Sequence, residues 1–128
     1  MLKKWPSDYP KHIDVPPEEA ESKTIEVYRL IENSPPVQCD FAASYKDPEQ
    51  AHLINKFVNN PSFYGTSFFS KKQSIINLIQ SNPNRFRRKQ IACGNVYPEH
   101  GMVGIENSKN HLTIWFFDNT YPEGFEVV

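Results

Sequence analysis

At 128 residues, the chain fits one domain, long enough to bury a single core of ordinary size. Charged residues make up 23% and the formal net charge is -1, which excludes a disordered polyelectrolyte and any global field that would draw in nucleic acid. Hydrophobic residues are lean at 38%, but aromatics at 13% supply large burial area per side chain. No apolar run approaches the roughly 20 residues needed to cross a bilayer. The opening "MLKKWPSDYP" lacks the apolar core of a signal peptide. The expectation is a soluble, cytoplasmic protein without a membrane partner.

In chain order, the first feature is proline. Six of the eleven prolines (Pro6, Pro10, Pro16, Pro17, Pro35 and Pro36) fall in the first 36 residues. Because proline fixes φ and removes a backbone donor, residues 1–22 are expected to form an extended arm, pinned to the body by Trp5, Tyr9 and Ile13. Residues 23–128 are then a single α+β domain. "TIEVYRLI" is the first strand, rich in β-branched and aromatic residues, and "ENSPP" ends it. "DPEQAHLINKFV" predicts a helix over 47–58: Asp47 caps, Pro48 takes the first helical position, and Ala51, Ile54 and Val58 form an apolar stripe. "GTSFFS" is a short strand running into a second helix, where Ser70 and Gln73 have capping-box spacing and Ile75, Leu78 and Ile79 make the buried face. Asn82 before Pro83 stops that helix. "RKQIACGNVYP", "GMVGIE", "HLTIWFF" and "FEVV" are four more strands, too close together for helical crossovers. The fold class is α+β, with a mostly antiparallel split sheet, two helices between the early strands and a proline-rich N-terminal arm.

Four places carry candidate chemistry. Arg29 falls on the apolar face of its strand with Ile25, Val27 and Ile31. A buried guanidinium needs an anion: either a ligand phosphate or carboxylate, or an internal partner such as Glu26, Asp40 or Glu126, unless the strand ends early and lets it reach water. In "FYGTSFFSKKQSII", Thr66, Ser67 and Ser70 offer hydroxyls beside a helix start, although capping and core packing would use the same residues. In "HLTIWFF", alternation places His111, Thr113 and Trp115 on one face, either as one wall of a pocket for a flat ring or as plain core and strand end. "NRFRRKQ" concentrates Arg85, Arg87, Arg88 and Lys89, but the near-zero net charge and the lack of a nucleic-acid motif favour a solvated turn. The histidines and the cysteines Cys39 and Cys93 have no metal-ligand spacing; reduced thiols are the default, with one disulfide left open. Walker, dinucleotide and serine-elbow motifs are absent from the sequence.

Taken in order, "VYRL", "FYGTSFFSKKQSIINLI" and "FEVV" resemble the layout of the small ADP-ribosyltransferase-like domains, over roughly residues 24–128. The "VYRL…PP…DF" opening also resembles small bacterial proteins. The first resemblance implies NAD or a related nucleotide as substrate, with no tightly bound cofactor, in a toxin or defence setting. It implies that Arg29 grips the pyrophosphate or ribose, that Ser67 and Thr66 shape the nicotinamide pocket, and that Tyr64 stacks on the ring, with Trp115 as a further wall. Glu126 would polarise the ribose hydroxyl. The family's paired Glu-x-Glu is missing: Glu123 and Glu126 stand three apart, which leaves His111 as an alternative for the polar role. The competing expectation is a non-enzymatic interaction protein, an antitoxin, immunity protein or phage inhibitor, that docks a protein partner through its arm.

Overall fold

The computed structural model describes residues 3–128; residues 1 and 2 of the expected arm lie outside the described residues. These residues form one six-stranded antiparallel sheet and a few short helices, an α+β fold. The strands are β1 (Ile25–Ile31), β2 (Thr66–Phe69), β3 (Gln90–Val96), β4 (Gly101–Val103), β5 (His111–Phe116) and β6 (Glu126–Val127), in spatial order β4-β5-β2-β1-β3-β6. Each falls within the segment that alternation and turn chemistry mark in the sequence.

The ladder is uneven. β1 and β3 pair along their whole length, from Ile25 opposite Val96 to Ile31 opposite Gln90. β2 and β5 pair from Thr66 opposite Ile114 to Phe69 opposite His111. Between these two halves, β1 and β2 share a single registered pair, Tyr28 with Phe69. The sheet is therefore split down its middle, and what holds the split together governs the rest of the molecule.

One face carries Val27, Ile31, Phe68, Ala92, Val96, Leu112, Ile114 and Phe116, all buried, closed by Phe41 and Phe125. Gly94 makes that closure possible. A Cβ there would run into the Phe125 ring, so the aromatic side chain lies directly on the β3 backbone. The second cluster joins Trp115 of β5 to Phe63, Tyr64, Tyr9 and Ala20, with Trp5, Ile13 and Val15 packed against it. Here the arm does more than rest on the surface: Trp5 lies 4.6 Å from Phe117 ring to ring, and Glu21 forms an isolated bridge with Val103. The arm is a structural layer of the domain.

Two helical expectations need correction. The stripe over 47–58 does not form one helix. Asp47 does accept from the Glu49 N–H at 2.9 Å, but the chain then winds through the 3-10 turn Ala51–Leu53 into a single helical turn, α1 (Ile54–Phe57). Packing of Leu53, Ile54 and Phe57 into the arm cluster takes precedence over regular winding. The second helix, α2 (Lys72–Ser81), packs on β1 and β2 and buries Ile75 fully, yet Ser70 does not cap it. Lys71 takes the cap position without a side-chain bond, and Gln73 Nε2 donates to Asn77 instead, at 2.9 Å. Among the described residues, only α2 is a helix of several turns. Pro83 stops it and opens the one-turn α3 (Pro83–Phe86).

Replacing Gly94 with alanine forces Phe125 off β3 and is expected to cost about 1–3 kcal/mol. Urea denaturation of the G94A protein checks this; an unchanged midpoint would contradict the packing described.

Candidate functional site

The split between β1 and β2 brings Arg29 to the centre of the molecule. Its Nε donates to the Asp40 carbonyl at 2.7 Å and its Nη1 to the Ser67 carbonyl at 2.7 Å. The Phe68 ring lies 5.6 Å from the guanidinium carbon. The internal partners are thus two backbone carbonyls, not the carboxylate of Glu26, Asp40 or Glu126. The Asp40 carboxylate is occupied elsewhere, accepting from the N–H groups of Glu32, Asn33 and Val37. Burial alone would raise its pKa, but those donors outweigh it and hold the carboxyl below the usual value. Burial also pushes Arg29 down to about 10, while the charges of Asp47 and Asp40 pull it back up. It remains a cation at neutral pH.

Arg29, Ser67 and His111 line one open hollow of about 270 Å³, together with Asp47, Glu49, Phe69, Arg85, Phe86 and Lys89. Arg85 lies over the Phe86 ring at 4.8 Å. Lys89 is pinned to Glu32 at 3.0 Å and to Glu49 at 3.8 Å. His111 sets its ring edge-on to Phe69, 5.3 Å away, and burial lowers its pKa from the ordinary 6.5, so the imidazole is neutral at pH 7. The lining sets guanidinium groups and an ammonium against the carboxylates of Asp47 and Glu49, beside a neutral imidazole and two phenyl rings, so it offers donors for an anion, acceptors for a hydroxyl and aromatic surface for a flat ring.

The other residues singled out in the sequence lie apart from this hollow. Tyr64 is buried against Tyr9 and Tyr45 and donates to the Val58 carbonyl at 2.8 Å. The Thr66 hydroxyl donates to the Phe41 carbonyl at 2.8 Å. Trp115 is buried, and its indole N–H donates to the Pro61 carbonyl at 3.0 Å. Glu126 is exposed on β6, the far edge strand, opposite Cys93, and lines a separate hollow with Pro35 and Pro36. The layout that resembles a transferase in linear order therefore converges in space only for Arg29, Ser67 and His111. Of the basic cluster, Arg85 and Lys89 enter the hollow, while Arg87 and Arg88 are exposed outside it. Sequence reasoning separated "NRFRRKQ" from Arg29; the shared signal was only that both are basic, Arg29 within β1 and the cluster just ahead of β3, its pairing partner.

Cys39 and Cys93 are free thiols. Among the described residues, no group of three or more His, Cys, Asp or Glu is placed to hold a metal ion, and no helix is long and apolar enough to cross a membrane. Comparison of the chain with protein-family models, with curated proteins and with solved structures finds no match.

Two outcomes follow from this geometry. Arg29→Met leaves the Asp40 and Ser67 carbonyls without their donor, and is expected to cost about 2–5 kcal/mol, read by chemical denaturation. The folded pKa of His111 lies below its unfolded value of 6.5. Its contribution to stability is thus fully present above pH 6.5 and is lost as pH falls below that value through the lower folded pKa. His100 is shifted the same way, so the check is a difference: His111→Gln should flatten part of the stability loss between neutral and mildly acidic pH.

Proposed function

We propose that the protein binds NAD or a related nucleotide in the hollow at the split of the sheet. The observation that carries this reading is the convergence of Arg29, Ser67 and His111 on one open space where β1 and β2 lose their pairing. Arg29 spends two of its N–H groups on carbonyls, and the rest of its fork, with Arg85, would meet a phosphate or pyrophosphate. Lys89 would add charge from the rim, at the cost of loosening its pairs with Glu32 and Glu49. Phe69, Phe86 and His111 supply faces and edges for a ring.

Cleavage of the nicotinamide–ribose bond is the finer form of the reading. It asks for a group that stabilises positive charge growing on the ribose. Glu126 is too remote from Arg29 for that role, on the opposite side of β3. The carboxylates at this hollow are Asp47 and Glu49, and in this form of the proposal one of them does the work, with neutral His111 beside it. The alternative of a protein partner docked by the arm would have to use other surface, since Trp5 and Tyr9 are committed to contacts inside the domain.

Calorimetric titration with NAD and with ADP-ribose, combined with a nicotinamide-release assay, tests both forms. Binding is expected, with affinity falling about tenfold in Arg85→Ala, the loss of one charge-assisted contact, and unchanged in Glu126→Gln. Absence of heat for either ligand would remove the reading. Binding without nicotinamide release would keep the nucleotide site and discard the cleavage.

A further inference from the structure

A second and larger hollow, of about 560 Å³, opens between the arm, residues 37–46 and the segment joining β5 to β6. It shares no lining residue with the hollow at Arg29. Its walls are rings. Tyr9, Tyr45 and Tyr64 stand 5.2–6.3 Å apart, centre to centre, at interplanar angles of 54–65°, so that they form a corner and not a stack. Phe117 and Tyr121 extend the wall on the other side.

The charges around this corner are unequal. Asp8 is already balanced: it accepts from the Tyr45 hydroxyl at 2.7 Å and pairs with Lys46 at 3.3 Å. Asp118, on the rim, forms no ion pair and accepts no side-chain hydrogen bond from another described residue through its carboxylate; only its backbone is engaged, with its N–H donating to the Lys4 carbonyl. Tyr9 is 8% exposed, and its hydroxyl bonds to no described residue. Burial first, then the charges of Asp8 and Asp118, push that phenol far above its ordinary pKa, so it stays a neutral hydrogen-bonding group. The corner already takes a cation, since the Lys46 ammonium sits 5.4 Å from the Tyr45 ring centre.

The geometry points to a binding site for an organic cation, an alkylated ammonium seated against the Tyr9–Tyr45–Tyr64 corner with Asp118 as its counter-charge. Ring faces carry negative potential and attract cations, and an alkylated ammonium gives up less water than a bare one on entering an apolar corner. A neutral ring would fill the same space but would gain nothing from the Asp118 carboxylate, which stays solvated at the rim. The remaining volume accommodates whatever the cation is attached to.

The test is titration of the full chain, by calorimetry or by chemical-shift changes, with choline and with N-acetyl trimethyllysine amide. The neutral isostere 3,3-dimethylbutanol is the control. At least one of the two cations is expected to bind, and the tighter one names the source of the ammonium. The isostere should bind about tenfold more weakly, and Asp118→Asn should weaken the cation about three- to tenfold. Because Asp118 is exposed, that variant keeps the fold, which an unchanged melting temperature verifies. No binding of either cation overturns the proposal, as does equal binding of the isostere or indifference to Asp118→Asn.

Discussion

One guanidinium, at a position where alternation calls for an aliphatic side chain, holds the molecule together. β1 and β2 meet at a single registered pair, and the Ser67 carbonyl near that junction is served by Arg29 instead of by a strand N–H. The same side chain reaches the Asp40 carbonyl, while the Asp40 carboxylate gathers the N–H groups of the turn that leaves β1. Strand, turn and neighbouring strand are thus tied through one charged group. A neutral side chain of similar length could fill the space but could not donate, and the buried carbonyls would be left unpaired.

This arrangement also explains why an opening exists at all. A continuous ladder between β1 and β2 would close the sheet, and the space now lined by Arg29, Ser67 and His111 would be backbone. A guanidinium tolerates the gap because its fork can bond carbonyls on two sides and still present N–H groups to a third. Under the proposed function, structure and ligand chemistry would make competing claims on the same residue. Its pKa of about 10 reflects the first claim: burial costs charge, and Asp47 and Asp40 recover part of it from a distance. An anion arriving in the hollow would recover more.

The proline-rich arm has a comparable double role. Its aromatics complete the second core cluster beside Trp115, so Trp5 and Tyr9 are used inside the domain. By packing there, it also builds one wall of the larger hollow, where Tyr9 meets Tyr45 and Tyr64. Removing the arm would unfold a layer and erase that hollow together. Truncation cannot therefore separate docking from folding in this domain, whereas substitution at the rim, away from the buried rings, can.

Local chemistry determined the strands. Alternation, β-branching and turn residues located all six, and the spacing of the late ones called for antiparallel pairing, because those signals act within a few residues. The same signals marked Arg29 as anomalous. They overestimated the helix over 47–58 and the Ser70 cap, where contacts with the arm and the backbone geometry at Lys71 prevailed over local preference. Tertiary structure alone decided which marked residues meet. Arg85 and Lys89 join Arg29 across more than fifty residues of chain, Glu126 is carried to the opposite edge by its pairing with β3, and Trp115 and Tyr64 are taken into the core. Register and strand order set those distances, and both arise from packing between segments remote in sequence, which no local pattern encodes.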